Sequence, residues 1–343
     1  MNIQEAIIQL LARDSLTQEQ ARSVMEQIMS GLASDAQIGG YLIALRMKGE
    51  TIDEITGSAQ AMRAKALALT VSGTVVDTCG TGGDGSGTFN ISTTAAFVVA
   101  AQGIVVAKHG NRALSSKSGS ADLLAALGVN IDAELSVVQR CLAEVGMGFL
   151  FAPRHHSAMR HVAGPRRELA VRTLFNLLGP LTNPANAAFQ LVGLFADHWV
   201  EPIAHVLGRL GVQHALVVHG ADGLDEITTT GKTHVAELHE GGRVVSYTVE
   251  PEQFGLTRVH PLDLHGGDAA ANAILTRRVL SGEKGAHRDI VLLNAGAAIY
   301  AARRADTLAI GVEMAAEAID SGRASHCLEQ LIVVSNQPCP TLP

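Results

Sequence analysis

Apolar positions in the first seventy residues recur at intervals of three and four. Ile3, Ile7, Leu10 and Leu11 form one set, Ala21, Val24, Met25 and Ile28 a second, and Ile38, Tyr41, Leu42 and Leu45 a third. That spacing gathers them on one face of a helix. Three segments also carry helix-start signals: Thr17-Gln-Glu-Gln20, Ser34-Asp-Ala-Gln37 and Thr51-Ile-Asp-Glu54. Each is a capping box, in which two side chains satisfy N–H groups left over at the helix end. The pattern predicts a small helical domain over residues 1–70.

From about residue 73 the pattern changes to short β-branched runs, each followed by glycine and a helical segment. VVDTCG leads into NISTTAAFVVAAQG, and IVVAKHG into SADLLAALG. HALVVHG leads into a polar loop, and DIVLLNAG reads as a further strand before AAIYAARRA. Alternating strand and helix units predict an α/β domain with a mostly parallel central sheet flanked by helices, over 71–164 and 191–335. The tail 336–343, rich in proline, is expected to be loose.

Composition narrows the function classes. The 343 residues are 47% hydrophobic and 17% charged, with a net charge of −7 and 3% aromatics. Nucleic-acid binders rely on a basic field and often on stacking aromatics. With neither here, any phosphate must be held locally. The N-terminus MNIQEAIIQLLARD has no basic lead and reads as an amphipathic helix, and no window approaches the ~20 apolar residues of a membrane span. Cys79, Cys141, Cys327 and Cys339 form no CxxC pair, so reduced thiols in the cytoplasm are expected.

The 35 glycines cluster in loops. In DTCGTGGDGSGTFNIST (77–93) bare backbone sits between a predicted strand and a predicted helix, where unpartnered N–H groups and the helix dipole favour phosphate. Asn90 is expected to cap that helix, leaving the Ser92 and Thr93 hydroxyls free for phosphate or a metal-bound group. The spacing is neither a dinucleotide-binding fingerprint nor a P-loop. A second turn, KHGNRALSSKSGS (108–120), sets Lys108, Arg112 and Lys117 among small hydroxylated residues, suiting a multiply charged phosphate. A third, HGADGLDEITTTG (219–231), offers Asp225 and Glu226 as hard oxygen ligands for Mg²⁺. In GPRRELAVRTLFNLLGPLTNP (164–184), Arg166, Arg167 and Arg172 are expected on one helix, one of them binding a carboxylate.

These four segments, in order over nearly the whole chain and together with NAGAAIYAA near its end, resemble the anthranilate phosphoribosyltransferases of tryptophan biosynthesis. The resemblance implies the nucleoside phosphorylase-like phosphoribosyltransferase fold. It implies transfer of phosphoribosyl from phosphoribosyl pyrophosphate to anthranilate, with Mg²⁺. It also implies a homodimer formed through a helical domain that takes in helices around 165–190. Gly80, Gly83, Asp84, Thr88, Asn90, Ile91, Ser92 and Thr93 match the family's phosphoribosyl pyrophosphate contacts. So do Lys108, His109, Gly110, Asn111, Arg112, Ala113, Leu114, Ser115, Ser116 and Ser120. Ser92, Asp225 and Glu226 match its magnesium positions. Gly80, Asn111 and Arg166 match its anthranilate contacts, Arg166 facing the carboxylate. The chain departs from the pattern at Gly164-Pro165 and at Ala170, where a glycine is expected, which bears on the backbone path around Arg166.

Fourteen histidines include no HExxH motif, and none receives an acid/base role, His109 included. The implied chemistry needs no catalytic dyad. The aromatic amine is already neutral, and the sugar carbon passes through an oxocarbenium-like state. Charge growing on pyrophosphate must be met, with Lys108 and Arg112 assisting, and the amine must be held in line. Two alternatives differ in class. A pyrimidine nucleoside phosphorylase would carry a KHSTGGVGD-like loop, absent here. A nucleic-acid-binding relative without transferase activity would be basic.

Overall fold

The computed structural model describes residues 1–113 and 117–338. Four helices open the chain: α1 (Ile3–Leu11), α2 (Gln18–Met29), α3 (Asp35–Lys48) and α4 (Ile52–Lys65). Thr17, Ser34 and Thr51 each close the expected capping box, and Asn2 with Glu5 closes another. Glu54 also reaches inward: its buried carboxylate accepts from Leu16 N, Thr51 N and Lys48 Nζ at 2.8–3.0 Å. A Cβ at Gly57 would collide with the Gln18 carbonyl, so glycine is what lets α4 lie against α2.

The rest alternates strands and helices. In chain order come β1 (Val75–Thr78), α5 (Ile91–Ala100), β2 (Val105–Gly110), α6 (Ser120–Leu127), α7 (Leu135–Glu144) and β3 (Met147–Phe151). A helical excursion follows: α8 (Ala152–His155), α9 (Arg160–Leu169) and α10 (Phe175–Leu178). Then come β4 (Phe189–Gly193), α11 (Val200–Arg209), β5 (His214–Gly220), β6 (Thr233–Leu238) and β7 (Val244–Val249). Helices α12 (Ala269–Leu280), α13 (Ala286–Ala301), α14 (Leu308–Asp320) and α15 (Arg323–Asn336) end the described chain. The sheet order is β3-β2-β1-β4-β5-β6-β7; β1 to β5 pair in parallel, while β6 and β7 run antiparallel. One apolar cluster lies between the sheet and α5, α6, α7, α13, α14 and α15. The other joins the opening bundle to Val162, Leu174, Phe175 and the opposite face of the sheet through Val192, Val217 and Ala236.

Several expectations are corrected. DIVLLNAG lies inside α13, not in a strand. Ile290, Val291, Leu292, Leu293 and Ala295 are all buried, so the helix is apolar all round and shows no helical period. Arg172 is not on the helix of Arg166 and Arg167, because α9 stops at Ala170 in the left-handed conformation, φ 50°. The stretch expected to be loose from 336 is held at its start: Asn336 is helical, and Arg140 holds the carbonyls of Val334, Gln337 and Pro338. Residues 339–343 lie outside the described ones. Cys79, Cys141 and Cys327 are free thiols.

Candidate active site at the carboxyl rim of the sheet

β1 and β2 are parallel neighbours, with Val75 beside Val105 and Val76 beside Val106, so the turns after Thr78 and Gly110 leave the same rim side by side. They are tied together. Asn90 Nδ2 donates to the Ser118 carbonyl at 3.0 Å, Ser118 Oγ donates to Asn90 Oδ1 at 3.1 Å, and Asn272 Nδ2 donates to the same oxygen at 2.9 Å. Asn90 therefore makes no cap bond to α5, contrary to expectation; its side chain joins the turns instead. Gly82, Gly83, Gly85 and Gly87 all have φ of 64–75°, a path only glycine follows cheaply. In the second turn a Cβ at Gly119 would collide with Ala113 N. Asp122 clasps that turn, accepting from Ala113 N at 2.9 Å, Gly119 N at 3.0 Å and Arg112 Nη1 at 3.1 Å. Arg112 is thus at the rim but already paired.

The expected contacts divide sharply by exposure. Lys108 is not a loop cation: it is 1% exposed, and its Nζ runs beneath the first turn to the Thr78 carbonyl and to Ser92 Oγ at 3.4 Å. His109, next along β2, turns the other way, with Nδ1 3.2 Å from the Gly179 carbonyl. Burial and the neighbouring His156 lower its pKa to about 3, so the ring is neutral. The side chains of Ile91 and Thr93 are also withdrawn from the rim, and the buried Thr93 hydroxyl has no partner among the described residues. Thr88 remains accessible, its Oγ1 3.2 Å from Ser86 Oγ. Gly110 is pressed between Phe149 and Ser120, and Asn111 is exposed, accepting from Arg112 N at 2.8 Å. Leu114, Ser115 and Ser116 lie outside the described residues.

The acidic pair enters from the turn after β5. A Cβ at Gly80 would strike Asp225 Oδ2, and one at Gly193 would strike the Asp225 main chain, so two glycines admit this aspartate to the rim. Its Oδ2 accepts from Gly82 N at 2.7 Å, and Glu226 Oε1 accepts from Ser92 N at 3.1 Å. Burial, then the charge of Asp84, pushes Asp225 up to about 7. Burial and Asp225 push Glu226 up to about 8, against the pull of Lys108. Carboxylates so crowded call for a cation, and with Ser92 Oγ they supply the hard oxygens Mg²⁺ prefers. Asn294 of α13 holds this segment by accepting from Ile227 N and donating to its carbonyl, both at 2.9 Å. Nothing in the spacing of the sequence marks that role.

Two arginines approach from the helical excursion. Arg166 lies over the Phe175 ring at 5.4 Å, half-buried, its guanidinium making no hydrogen bond or ion pair among the described residues. Burial lowers its pKa. A desolvated guanidinium without an acid is a ready seat for a carboxylate. Arg172 donates to the Gly83 carbonyl and lies over the Phe195 ring at 4.3 Å, latching the first turn to this segment. The sequence marks Arg172 only as a helical cation. Deeper, Asn183 Nδ2 bridges Asp77 Oδ2 at 2.7 Å and the Ala107 carbonyl at 2.8 Å, a further support that the sequence pattern does not reveal.

Comparisons with known proteins identify the fold and the family. The family described as glycosyl transferase family, a/b domain, matches residues 72–325, and its helical bundle domain matches residues 4–66. Anthranilate phosphoribosyltransferases of Paramagnetospirillum magneticum and Rhodospirillum rubrum are 59% and 57% identical, each alignment covering 94% of this chain and 93% of the relative. The crystal structure of the Thermus thermophilus anthranilate phosphoribosyltransferase superposes with a TM-score of 0.91 at 45% identity, covering 97% of this chain and 99% of that one. The Saccharomyces cerevisiae enzyme in complex with PRPP and Mg gives 0.88 at 28% identity, covering 97% of each chain.

Proposed function

Because the chain belongs to the anthranilate phosphoribosyltransferases, we propose a division of labour among the rim residues for the reaction of that family. The chain transfers the phosphoribosyl group of 5-phosphoribosyl 1-pyrophosphate to the amine of anthranilate, releasing pyrophosphate, a pentosyl transfer in tryptophan biosynthesis. The observation that carries the assignment of roles is the pair of glycine turns locked by Asn90 and Ser118 beside Asp225 and Glu226.

The main-chain N–H groups of the first turn and the start of α5 receive the diphosphate. Arg112 meets it from the second turn by swinging from Asp122, with Asn111 beside it. Lys108 acts from beneath, orienting the Ser92 hydroxyl and balancing Glu226 rather than touching phosphate. Ser92, Asp225 and Glu226 would hold Mg²⁺, which would supply positive charge beside the pyrophosphate. Arg166 takes the anthranilate carboxylate, fixing the amine toward the sugar carbon, and Gly80 leaves room at the rim. No side chain need accept a proton before bond formation, because the amine enters neutral. Rate then comes from alignment and from fixed dipoles facing the leaving group.

Exposed Ile8, Leu11, Leu32 and Met47 on the opening bundle favour association of two chains through that domain. Residence in the cytoplasm belongs to the same proposal. The test mixes purified chain, anthranilate, phosphoribosyl pyrophosphate and Mg²⁺ and follows anthranilate fluorescence. Loss of the anthranilate signal that requires the chain, phosphoribosyl pyrophosphate and Mg²⁺ together is expected; a steady signal overturns the reading.

A further inference from the structure

The opposite end of β5 carries a second cluster of ligand-type side chains. Antiparallel pairing sets Ala215 against Leu238, which brings His214 opposite His239 just beyond the ladder. Side chains alternate along a strand, so Glu237 shares the face of His239. One ligand atom from each of the three lies within 4.8 Å of the others. His214 Nε2 is 2.8 Å from Glu237 Oε1, and His239 Nδ1 is 3.7 Å from the same oxygen.

The surrounding contacts orient these atoms. His214 Nδ1 lies 2.8 Å from the Ala301 carbonyl, which can only accept, so Nδ1 carries the hydrogen. In the neutral ring Nε2 then turns a lone pair toward a carboxylate oxygen. Two acceptors this close need positive charge in contact with both, either a proton held in the gap or a metal ion seated beside the pair. The hydroxyls of Tyr300 and Tyr247 donate to Glu237 Oε1 and Oε2, both at 2.8 Å, fixing the carboxylate. A ring hydrogen given to a backbone carbonyl and a carboxylate held by hydroxyls are the outer contacts that orient metal ligands. His214 and Glu237 side chains are 6% exposed and His239 is 30% exposed, which leaves one side open for water.

We propose that His214, Glu237 and His239 form a divalent transition-metal site, with Zn²⁺ as its type ion. Two imidazoles and one carboxylate select such an ion over Mg²⁺. The ion fastens the start of β5 and the end of β6 to the end of α13, away from the rim and independent of its chemistry.

The experiment uses the full chain without a histidine tag, stripped by chelator and held in excess Mg²⁺. Calorimetric titration with ZnCl₂ should show one ion bound per chain. His239→Ala should weaken binding at least ten-fold, and Tyr300→Phe roughly ten-fold. His239→Gln serves if the alanine variant fails to fold, as judged by circular dichroism. Co²⁺ should give visible d–d absorption that His239→Ala abolishes. No Zn²⁺ binding, or equal affinity in the His239 variant, overturns the proposal and leaves a shared proton in the gap. A near-ultraviolet thiolate-to-cobalt band also overturns it, since the ion would then sit on a cysteine.

Discussion

Asn90 and Ser118, 28 residues apart, exchange two hydrogen bonds of 3.0 and 3.1 Å across the mouths of neighbouring strands. Asn272 from α12 adds a third to the same amide, so one asparagine sets the spacing of both glycine turns. Asn90→Ala removes all three. At about 1 kcal/mol for each net hydrogen bond, phosphoribosyl pyrophosphate should bind ~10- to 100-fold more weakly. Steady-state KM and calorimetric Kd for that substrate check this; values matching the parent chain would remove Asn90 from the site.

Arg166 has no acid to pair with among the described residues and rests on Phe175. Arg166→Ala should therefore lower kcat/KM for anthranilate by about 2–3 kcal/mol, the worth of a charged hydrogen-bonded contact, with little change in Tm. Initial rates at varied anthranilate, with a melting curve alongside, separate the two effects. A lost fold with intact anthranilate use would assign Arg166 to stability.

Burial, then the charge of Asp84, pushes the Asp225 carboxyl up to about 7. Asp225→Asn deletes a charge the site can carry only with a cation nearby, so magnesium-dependent binding of phosphoribosyl pyrophosphate should weaken. The chain without metal should melt no lower, because the penalty of a buried carboxylate is gone. Titrations with and without Mg²⁺ read the first effect and differential scanning calorimetry the second. An unchanged magnesium dependence refutes the role.

Two buried histidines give acid sensitivity of defined sign. Burial lowers His109 to about 3 with help from His156, and burial with His155 lowers His156 to about 4. Both groups are depressed below the unfolded value of ~6.5, so they stabilise the fold above that pH. Between roughly pH 6.5 and 4 the unfolded chain takes up protons that the folded chain refuses. Stability should fall by up to about 1.4 kcal/mol per pH unit for each ring. Urea midpoints from pH 7.5 to 5 measure the slope, and His156→Gln should flatten it.

Ala170 ends α9 with φ 50°, in the left-handed region. Ala170→Gly should raise stability by roughly 0.5–1 kcal/mol, since glycine enters that region without strain. Denaturant midpoints decide it, and a lower midpoint would show that the alanine methyl has a packing role.

How much of this was legible in the chain depends on the range of the interactions. The capping boxes at Thr17, Ser34 and Thr51 are local chemistry, and each formed as written. The glycine turns and the Asp225-Glu226 pair were legible because glycine and acid clusters between strand and helix have few other uses. α13 conceals its helical character over Asp289–Gly296, since a helix buried on every side shows no period. Asn90 looked like a cap and became a bridge, because its partners Ser118 and Asn272 meet it only when strands and helices are assembled. Asn183, Asn294 and the Arg172 latch act through contacts no local spacing encodes.

Lys108 and His109 are consecutive in β2, yet one props up Ser92 and the other is sealed against Gly179 on the far side. Inserting or deleting a single residue upstream in that strand would exchange the faces they occupy, sending the ammonium toward the Gly179 and His156 side and the imidazole beneath the first glycine turn. A change in the length of β2 would therefore misplace both buried side chains at once. The count of residues before Lys108 is itself part of the catalyst.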